Sequence, residues 1–418
     1  MKKRLFSFII LPLLLLTACN DTQTTMSNLK PQRIIDYVID LGVITNFNEN
    51  AAINVMKEKF FPNKSGCSAI VTQVNGKNLV GRNCDISVSE SPIIKFILDI
   101  NQYKTMGLMY PVFEDNTKYE YLLNNGLDEY LQTVVPYAGS DYLNEKGLYI
   151  EMNMRNPEVG YEVNSTNPAS NIDLYVVCFP AYAATRCANV NEAVELARTI
   201  NFYNNVDDEN VPSWNYGFTL ADAEGNYGIL EIAKNKVIFT PKCNGQANFY
   251  IADELKQDAK YQCGESRFQV LNENLEQVKT QSDMLKHMEK TYYSYVQTIT
   301  DPDKTPFDIR SEWTECFSVN EQEEIDEVNG ETKNCTTEWL LNGSRKDEIY
   351  ELIKKSNQQC YGEYLNADGT WNLAKLRQNF GLMDDFWISM YSCAVDCNEK
   401  TMKIRFFEDN TKELEFSI

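Results

Sequence analysis

Histidine is all but missing from this chain: His287 is the only one in 418 residues. Ser-His-Asp and Cys-His nucleophile systems, and metal sites built on several imidazoles, must use that residue or do without it. It lies in "SDMLKHMEKTYYSYVQTI", where Met284, Leu285, Met288 and Tyr292 recur at helical spacing. That spacing predicts an amphipathic helix over about Gln281–Val296, with His287 an ordinary position on it. Basic charge is scarce too: 39 Lys and Arg stand against 60 Asp and Glu, a formal net charge of -21. Such a surface repels nucleic acid and anionic headgroups, which excludes a nucleic-acid partner. Long apolar runs are limited to Leu5–Leu16, too short to span a bilayer. What remains is ordinary: 43% hydrophobic and 12% aromatic residues, no internal repeat, and enough apolar mass for one large core or two smaller ones.

The N-terminal run follows Lys2, Lys3 and Arg4, which gives it the charge and length of a signal-peptide h-region. Leu16, Thr17, Ala18 and Cys19 then resemble the lipobox of bacterial lipoproteins. The resemblance implies removal of residues 1–18, acylation of Cys19, and an extracytoplasmic protein held to a bacterial membrane by lipid. Losing three basic residues and no acidic ones leaves the remainder at -24, so the lipid itself must supply the attachment. Of twelve cysteines, ten remain once Cys19 and Cys67 are set aside, an even number that leads us to expect some disulfides. A zinc reading of Cys393 and Cys397 in "SCAVDCNEK" lacks further partners at metal spacing.

Residues 19–66 read as a polar tether followed by one or two helices from about Arg33 to Lys59, with Ile34, Ile35, Val38, Ile39 and Val43 on one face, ending at the loop "FFPNKSG". Strand patterns start at Cys67. Ser68–Val74 and Lys77–Arg82 flank Asn75-Gly76, the strongest short hairpin signal. Further strands are predicted in "EKGLYIEMNM", in Asn215–Lys242 with a turn at residues 224–226, and in the closing "FWISMYSCAVD" and "KTMKIRFFED". "NVNEAVELARTI" from Asn189 has the cap and spacing of a helix. Residues 301–378 are acidic and read as a solvated insertion within a catalytic domain of residues 67–418. Strands at both ends with helices between predict two packed antiparallel sheets covered by helices.

Cys67 poses the chemical question. A thiol needs a base, and no imidazole is nearby in sequence. A cut between Gly66 and Cys67 would give Cys67 its own α-amine, with an ordinary pKa of about 7.7–8.0. One residue would then be nucleophile and base together. Arg82 and Asp85 follow Cys67 by 15 and 18 residues, and the hairpin brings them back beside it. A guanidinium there favours thiolate and a carboxylate orients the amine. A buried strand cysteine beside a surface Arg-Asp pair is the other reading of the same three residues.

"CSAIVTQVNGKNLVGRNCD" resembles the head of the linear amide C-N hydrolases. These N-terminal-nucleophile enzymes include choloylglycine (bile salt) hydrolases, penicillin V acylases, acid ceramidase and N-acylethanolamine acid amidase. The family's Gly-Arg-Asn-x-Asp is matched by Gly81, Arg82, Asn83, Cys84 and Asp85. "NEKGLYIEMNM" is similar to a segment ending on a site asparagine, which points to Asn153, with Asn144 as the alternative because the spacing is one residue short. "NFYIAD" points to Asn248, although Ala247 replaces the family's threonine, and "GESRF" to Arg267. The resemblance implies an α+β, four-layer αββα sandwich, no metal or organic cofactor, and attack by Cys67 on an amide carbonyl. It further implies that Asn248 and a backbone N–H, together with Asn153, stabilise the oxyanion. Asp85 would hold the amine, while Arg82 and Arg267 set the local field. The 47 residues between Cys19 and Cys67 resemble the self-cleaving members and favour fatty-acyl amides over bile salts as substrates. An acyltransferase of the same fold, or a non-catalytic surface-binding lipoprotein, are the alternatives.

Overall fold

A computed structural model of the chain describes residues 31–35, 38–59, 65–89, 92–110, 119–155, 163, 165–204, 215–256, 264–291, 382–406 and 409–418. The signal-peptide and lipobox residues, Cys19 included, and the acidic stretch 301–378 lie outside them, as does the part of the expected 281–296 helix beyond residue 291.

In chain order the described elements begin with β1 (Gln32–Ile35), β2 (Val38–Ile44), α1 (Glu49–Lys59), β3 (Ser65–Val74), β4 (Lys77–Ser89), β5 (Ile93–Leu98) and β6 (Thr105–Met109). Then come α2 (Tyr119–Asn125), α3 (Glu129–Val134), β7 (Asp141–Asn144), β8 (Tyr149–Met154), β9 (Asp173–Tyr175), α4 (Phe179–Ala184), α5 (Val190–Thr199) and β10 (Asn201–Tyr203). The last third holds β11 (Tyr216–Ala221), β12 (Tyr227–Ala233), β13 (Lys236–Pro241), β14 (Gly245–Gln246), α6 (Asp253–Lys256), α7 (Glu265–Asn272) and α8 (Gln281–Met288). It closes with β15 (Leu382–Asp396), β16 (Thr401–Phe406) and β17 (Asp409–Ser417).

One nine-stranded sheet runs β1-β2-β5-β6-β7-β8-β11-β12-β13, and a six-stranded sheet runs β14-β3-β4-β15-β16-β17. Their facing sides share a core that includes Val71, Val80, Leu108, Tyr149, Tyr391 and Ile404. Helices α3, α4 and α5 pack on the outer face of the larger sheet through Leu131, Phe179, Val190 and Val194. On the outer face of the smaller sheet, Leu271 of α7 and Met284, Leu285 and Met288 of α8 close over Ile70 and Leu79. The layers therefore run helix, sheet, sheet, helix, the αββα order expected. The β3-β4 hairpin turns at Asn75 and Gly76 with φ of 54° and 80°, so both central residues are left-handed, as this tight turn requires. Asn189 caps α5 by accepting from the Glu192 N–H, and Thr280 and Asp283 form a capping box on α8.

Two expectations are corrected. Residues 33–35 and 38–44 are not helical: β1 and β2 pair antiparallel there, and among the described residues before Cys67 only Glu49–Lys59 is helix. The apolar spacing fitted either period, but β-branched Val38, Ile39, Val43 and Ile44 favour extended chain, and Gly42 sits at φ 75°, outside helical geometry. β2 then pairs parallel with β5, so the larger sheet is not wholly antiparallel. The second concerns disulfides, none of which forms among the described cysteines. Cys67, Cys84, Cys178, Cys187, Cys243, Cys393 and Cys397 are all free thiols. Cys178 and Cys187 lie on the helix side of the large sheet, and Cys67, Cys84, Cys393 and Cys397 lie between the sheets. Cys263, Cys316, Cys335 and Cys360 lie outside the described residues.

The segment before Cys67 is thus built into the domain, with Ile39, Leu41, Ile44, Ala52 and Met56 buried in the largest core. A chain severed between Gly66 and Cys67 is expected to elute as one particle in native gel filtration and to separate into two only in denaturant. Elution of the shorter piece alone under native conditions would contradict this packing.

Candidate active site

Strand alternation decides how Cys67 is presented. β3 and β4 pair antiparallel with Cys67 opposite Cys84 and Ala69 opposite Arg82, so these four side chains share the face turned toward the larger sheet. The backbone of Cys67 points sideways, away from β4. Its N–H donates to Asn248 Oδ1 at 3.2 Å, and its carbonyl accepts from Arg267 Nη1 at 3.1 Å. Arg267 Nη2 also donates to Asn248 Oδ1 at 2.6 Å, so carboxamide and guanidinium close a small ring on the N–H and carbonyl of Cys67. The Asn248 Nδ2 donates in turn to the Met154 carbonyl at 2.6 Å.

Arg82 is buried and fully engaged. Its Nη2 donates to Cys67 Sγ at 3.2 Å and to the Met152 carbonyl at 3.0 Å. Nη1 donates to Asp141 Oδ2 at 2.5 Å and to the Tyr391 hydroxyl at 3.0 Å, while Nε donates to Glu151 Oε2 at 3.0 Å. Asp141 also accepts from the hydroxyls of Tyr149 and Tyr391. One cation therefore faces two carboxylates and a thiol, all out of water. Burial lifts the Glu151 carboxyl above its usual range, although Arg82, Thr219 and Gln246 oppose the lift.

Asp85 lies on the opposite face of β4, paired in register with Gly66. It accepts from Arg267 Nη1 at 3.2 Å and from the Ser389 hydroxyl, and burial raises it to about 6 against the pull of Arg267, Ser389 and Arg82. Arg267 comes from α7, whose N-terminus follows Gly264 at φ 89°. A side chain at Gly264 would strike both Ala247 Cβ at 2.7 Å and Arg267 Nη2 at 2.8 Å. Asn83 of the same motif works for the scaffold, its Nδ2 donating to the Met288 carbonyl at 3.0 Å and so tying α8 to the sheet.

Asn153 shares a face of β8 with Glu151, the partner of Arg82, and is completely buried. Neither its Oδ1 nor its Nδ2 has a hydrogen-bond partner among the described residues. An amide so placed is costly unless something completes it. Asn144, the alternative, is spent on structure: it bonds the carbonyls of Ala184 and Cys187 and the N–H groups of Lys146 and Leu148.

The thiol of Cys67 is pushed well above its ordinary range, first by burial and then by a hydrogen bond with the Cys84 thiol, with Arg82 pulling it down. His287 contributes nothing here: its Nε2 bonds the Leu271 carbonyl at 2.7 Å and its Nδ1 meets Lys290 at 3.3 Å. No cluster of three or more His, Cys, Asp and Glu side chains among the described residues is arranged to hold a metal.

The structure thus brings Cys67, Arg82, Asn248 and Arg267 into direct contact and places Asp85 on Arg267, while Asn153 stands on the neighbouring sheet without a bond. Sequence reading missed Asp141, Glu151, Tyr391 and Ser389, and also Arg155, which carries the Asn248 segment. Arg155 donates to the Ala247 carbonyl at 2.8 Å, Gln246 Oε1 at 2.6 Å and Glu231 at 2.9 Å. The only available signal was charge inside strand-like runs, such as Glu151 in "GLYIEMNM" and Glu231 in "YGILEIA".

No protein-family model and no curated protein matches the chain. Among solved structures, two variants of the conjugated bile acid hydrolase from Clostridium perfringens are similar to it, with TM-scores of 0.40 and 0.39. Both are 11% identical, over 84% of this chain and 92% of theirs. The penicillin V acylase from Agrobacterium tumefaciens is similar at a TM-score of 0.36 and 12% identity, over 82% of this chain and 83% of its own.

Two predictions follow from the buried charges. Replacing Arg82 by Met leaves Asp141 and Glu151 without their cation and is expected to cost on the order of 3–5 kcal/mol in urea unfolding. A loss below about 1 kcal/mol would show that the network is not held by this ion pair. Asp85, raised from an ordinary value of about 3.9 to about 6, keeps its proton in the folded chain over a range where the unfolded chain has lost it. Its contribution is fully present below about pH 3.9 and is lost as pH rises through about 6, a fall on the order of 3 kcal/mol. Unfolding of Cys67→Ala and Cys67→Ala/Asp85→Asn chains should show that fall only in the first, and an equal pH dependence in both would refute it.

Proposed function

We propose that this chain is a self-activating cysteine amidohydrolase of the N-terminal-nucleophile type, cleaving the linear C–N bond of N-acyl conjugates. The observation that carries the reading is the treatment of Cys67. Its amide nitrogen, its carbonyl and its thiol are each gripped by a different buried polar side chain, Asn248, Arg267 and Arg82 respectively. A cysteine serving only to fill a core would need none of these.

In the uncut chain the Gly66–Cys67 peptide sits between this grip and Asp85. Attack of Sγ on the Gly66 carbonyl, followed by an N-to-S acyl shift and hydrolysis, would release a Cys67 α-amine where the amide nitrogen now lies, within reach of Asn248 Oδ1. Departure of Gly66 opens the space opposite Asp85, whose carboxylate can then turn to the amine. In turnover the amine takes the thiol proton as Sγ attacks the substrate carbonyl, then gives it to the departing amine. Water activated by the same amine resolves the thioester. Arg82 favours the thiolate. Asn153, with an unbonded Nδ2 on the site face of β8, is the donor best placed to meet an oxyanion, and Asn248 can join it by releasing Met154.

Cys19 would carry a lipid that holds the protein at a bacterial membrane on its extracytoplasmic side, the chain being too acidic to bind anionic headgroups by charge. The acyl part of the substrate is apolar, fatty-acyl amides before conjugated bile acids.

Mass spectrometry of purified protein is expected to find a piece beginning at Cys67 in the wild type and only uncut chain in Cys67→Ala. Assayed on N-acyl taurine, glycine, ethanolamine and amino-acid conjugates, the wild type should release free acid and Cys67→Ala none. Asn153→Ala is expected to lower kcat by roughly 100-fold or more with less change in KM, as loss of an oxyanion donor does. An uncut wild type that matches Cys67→Ala in every assay would end the hydrolase reading.

A further inference from the structure

Cys84 fills the open position of the Gly81–Asp85 motif, between the polar Asn83 and Asp85, and it sits directly opposite Cys67. Because the N–H and C=O of Cys67 bond outward to Asn248 and Arg267, the 67/84 position is a non-hydrogen-bonded pair of the β3-β4 ladder. The outward bond from the Val71 N–H to the Asn244 carbonyl, four residues on, fits the same alternation. In such pairs the Cα atoms lie about 4.5 Å apart with side chains close, inside the span of about 4.4–6.8 Å that a disulfide bridges. Both thiols are free, buried and on one face, with the Arg82 guanidinium against Cys67 Sγ.

We propose that Cys67 and Cys84 form a redox pair, in which oxidation by a peroxide closes a cross-strand disulfide that masks the nucleophile and a dithiol reopens it. In the first step the Cys84 thiolate attacks a peroxide oxygen. The O–O bond breaks, a sulfenic acid forms on Cys84, and the other oxygen leaves as water after taking the proton that Cys84 gave up. In the second, the Cys67 sulfur attacks the sulfenic sulfur, the S–O bond breaks, and the hydroxide leaves as water with the Cys67 proton. Two thiols and one hydrogen peroxide give one disulfide and two waters, the sulfurs supplying both electrons. A hydrogen bond with Cys67, aided by Arg82 and opposed by burial, holds the Cys84 thiol below its ordinary range, which suits it to the first attack, while burial holds Cys67 above its own. Hydrogen peroxide is nearly as small as water and needs little opening to reach the pair. Once Cys84 is oxidised, Cys67 closes the bond before that sulfur passes on to sulfinic and sulfonic acid, which thiols do not reverse.

The masking role rests on Cys67 being the nucleophile, whereas the bond itself does not. The test is therefore a mass measurement that needs no turnover. Purified full-length protein is treated with hydrogen peroxide, free thiols are alkylated, and the chain is digested without reductant; trypsin cuts at Lys77 and Arg82 and so separates the two cysteines. The expected product is a Cys67–Cys84 linked peptide that dithiothreitol abolishes while restoring the free thiols and any amidase activity. Cys67→Ala should instead accumulate sulfinic acid on Cys84 that dithiothreitol does not reverse. Cys393→Ser, altering the thiol one strand over, should keep the link. Wild-type Cys67 recovered unmodified, as sulfinic acid, or joined to Cys393 would overturn the pairing. A chain that forms the link but is never cut and cleaves no amide would sink the hydrolase reading and leave the pair standing. An active, cut chain without the link would do the reverse.

Discussion

The guanidinium of Arg82 is the interaction on which the rest of the site depends. It enters from β4 of the smaller sheet and crosses the core to meet Asp141 on β7 and Glu151 and the Met152 carbonyl on β8, while Tyr391 on the adjacent β15 joins it from its own sheet. Taking so many charges out of water is expensive, and each is tolerable only because the others are present. The Cys67 sulfur occupies one corner of the same arrangement. Packing of the two sheets and the electrostatic setting of the thiol are thus one structure rather than two. That coupling explains why the charged residues sit at the middle of the sandwich, where apolar side chains would otherwise be expected.

A second constraint comes from the geometry of an extended strand. Side chains alternate across a sheet while backbone donors and acceptors point along it, so one residue can face three neighbours without strain. At Cys67 the thiol turns inward to Arg82 and Cys84, the N–H sideways to Asn248, and the carbonyl sideways to Arg267. In the proposed mechanism this allows the nucleophile and its future base to be positioned separately although they belong to one residue. The same alternation brings a second thiol within bonding range.

The segment ahead of Cys67 shapes the molecule as well. β2 lies in the larger sheet against β5, and α1 meets α3 in the outer helical layer, where Glu49 of α1 forms an ion pair with Arg186 at 2.5 Å. An inserted strand with buried side chains is not a detachable leader. Any lipid on Cys19 would be joined to the rest of the protein through these strand and core contacts, whether or not the Gly66–Cys67 bond remains.

The sequence by itself determined the local features. Asn75-Gly76 specified the hairpin because two adjacent left-handed residues are cheap only for such pairs, and the Asn189 cap marked where α5 begins. The sparing use of histidine and the ordered motifs pointed to Cys67, Arg82, Asp85, Asn153, Asn248 and Arg267, since those depend on residue type and spacing. It misjudged residues 33–35 and 38–44, where apolar spacing suited helix and strand alike and pairing of β2 with β5 and β1 decided the outcome. Only the tertiary structure distinguished Asn153 from Asn144, by engaging Asn144 in a turn and leaving the Asn153 side chain without a hydrogen bond among the described residues. It alone revealed Asp141, Glu151 and Tyr391 around Arg82, and the outward bonds of Cys67 that make it and Cys84 close partners. Those relations span sequence separations from 59 to 309 residues for Arg82 and 181 and 200 for the Cys67 backbone, distances over which local pattern holds no information.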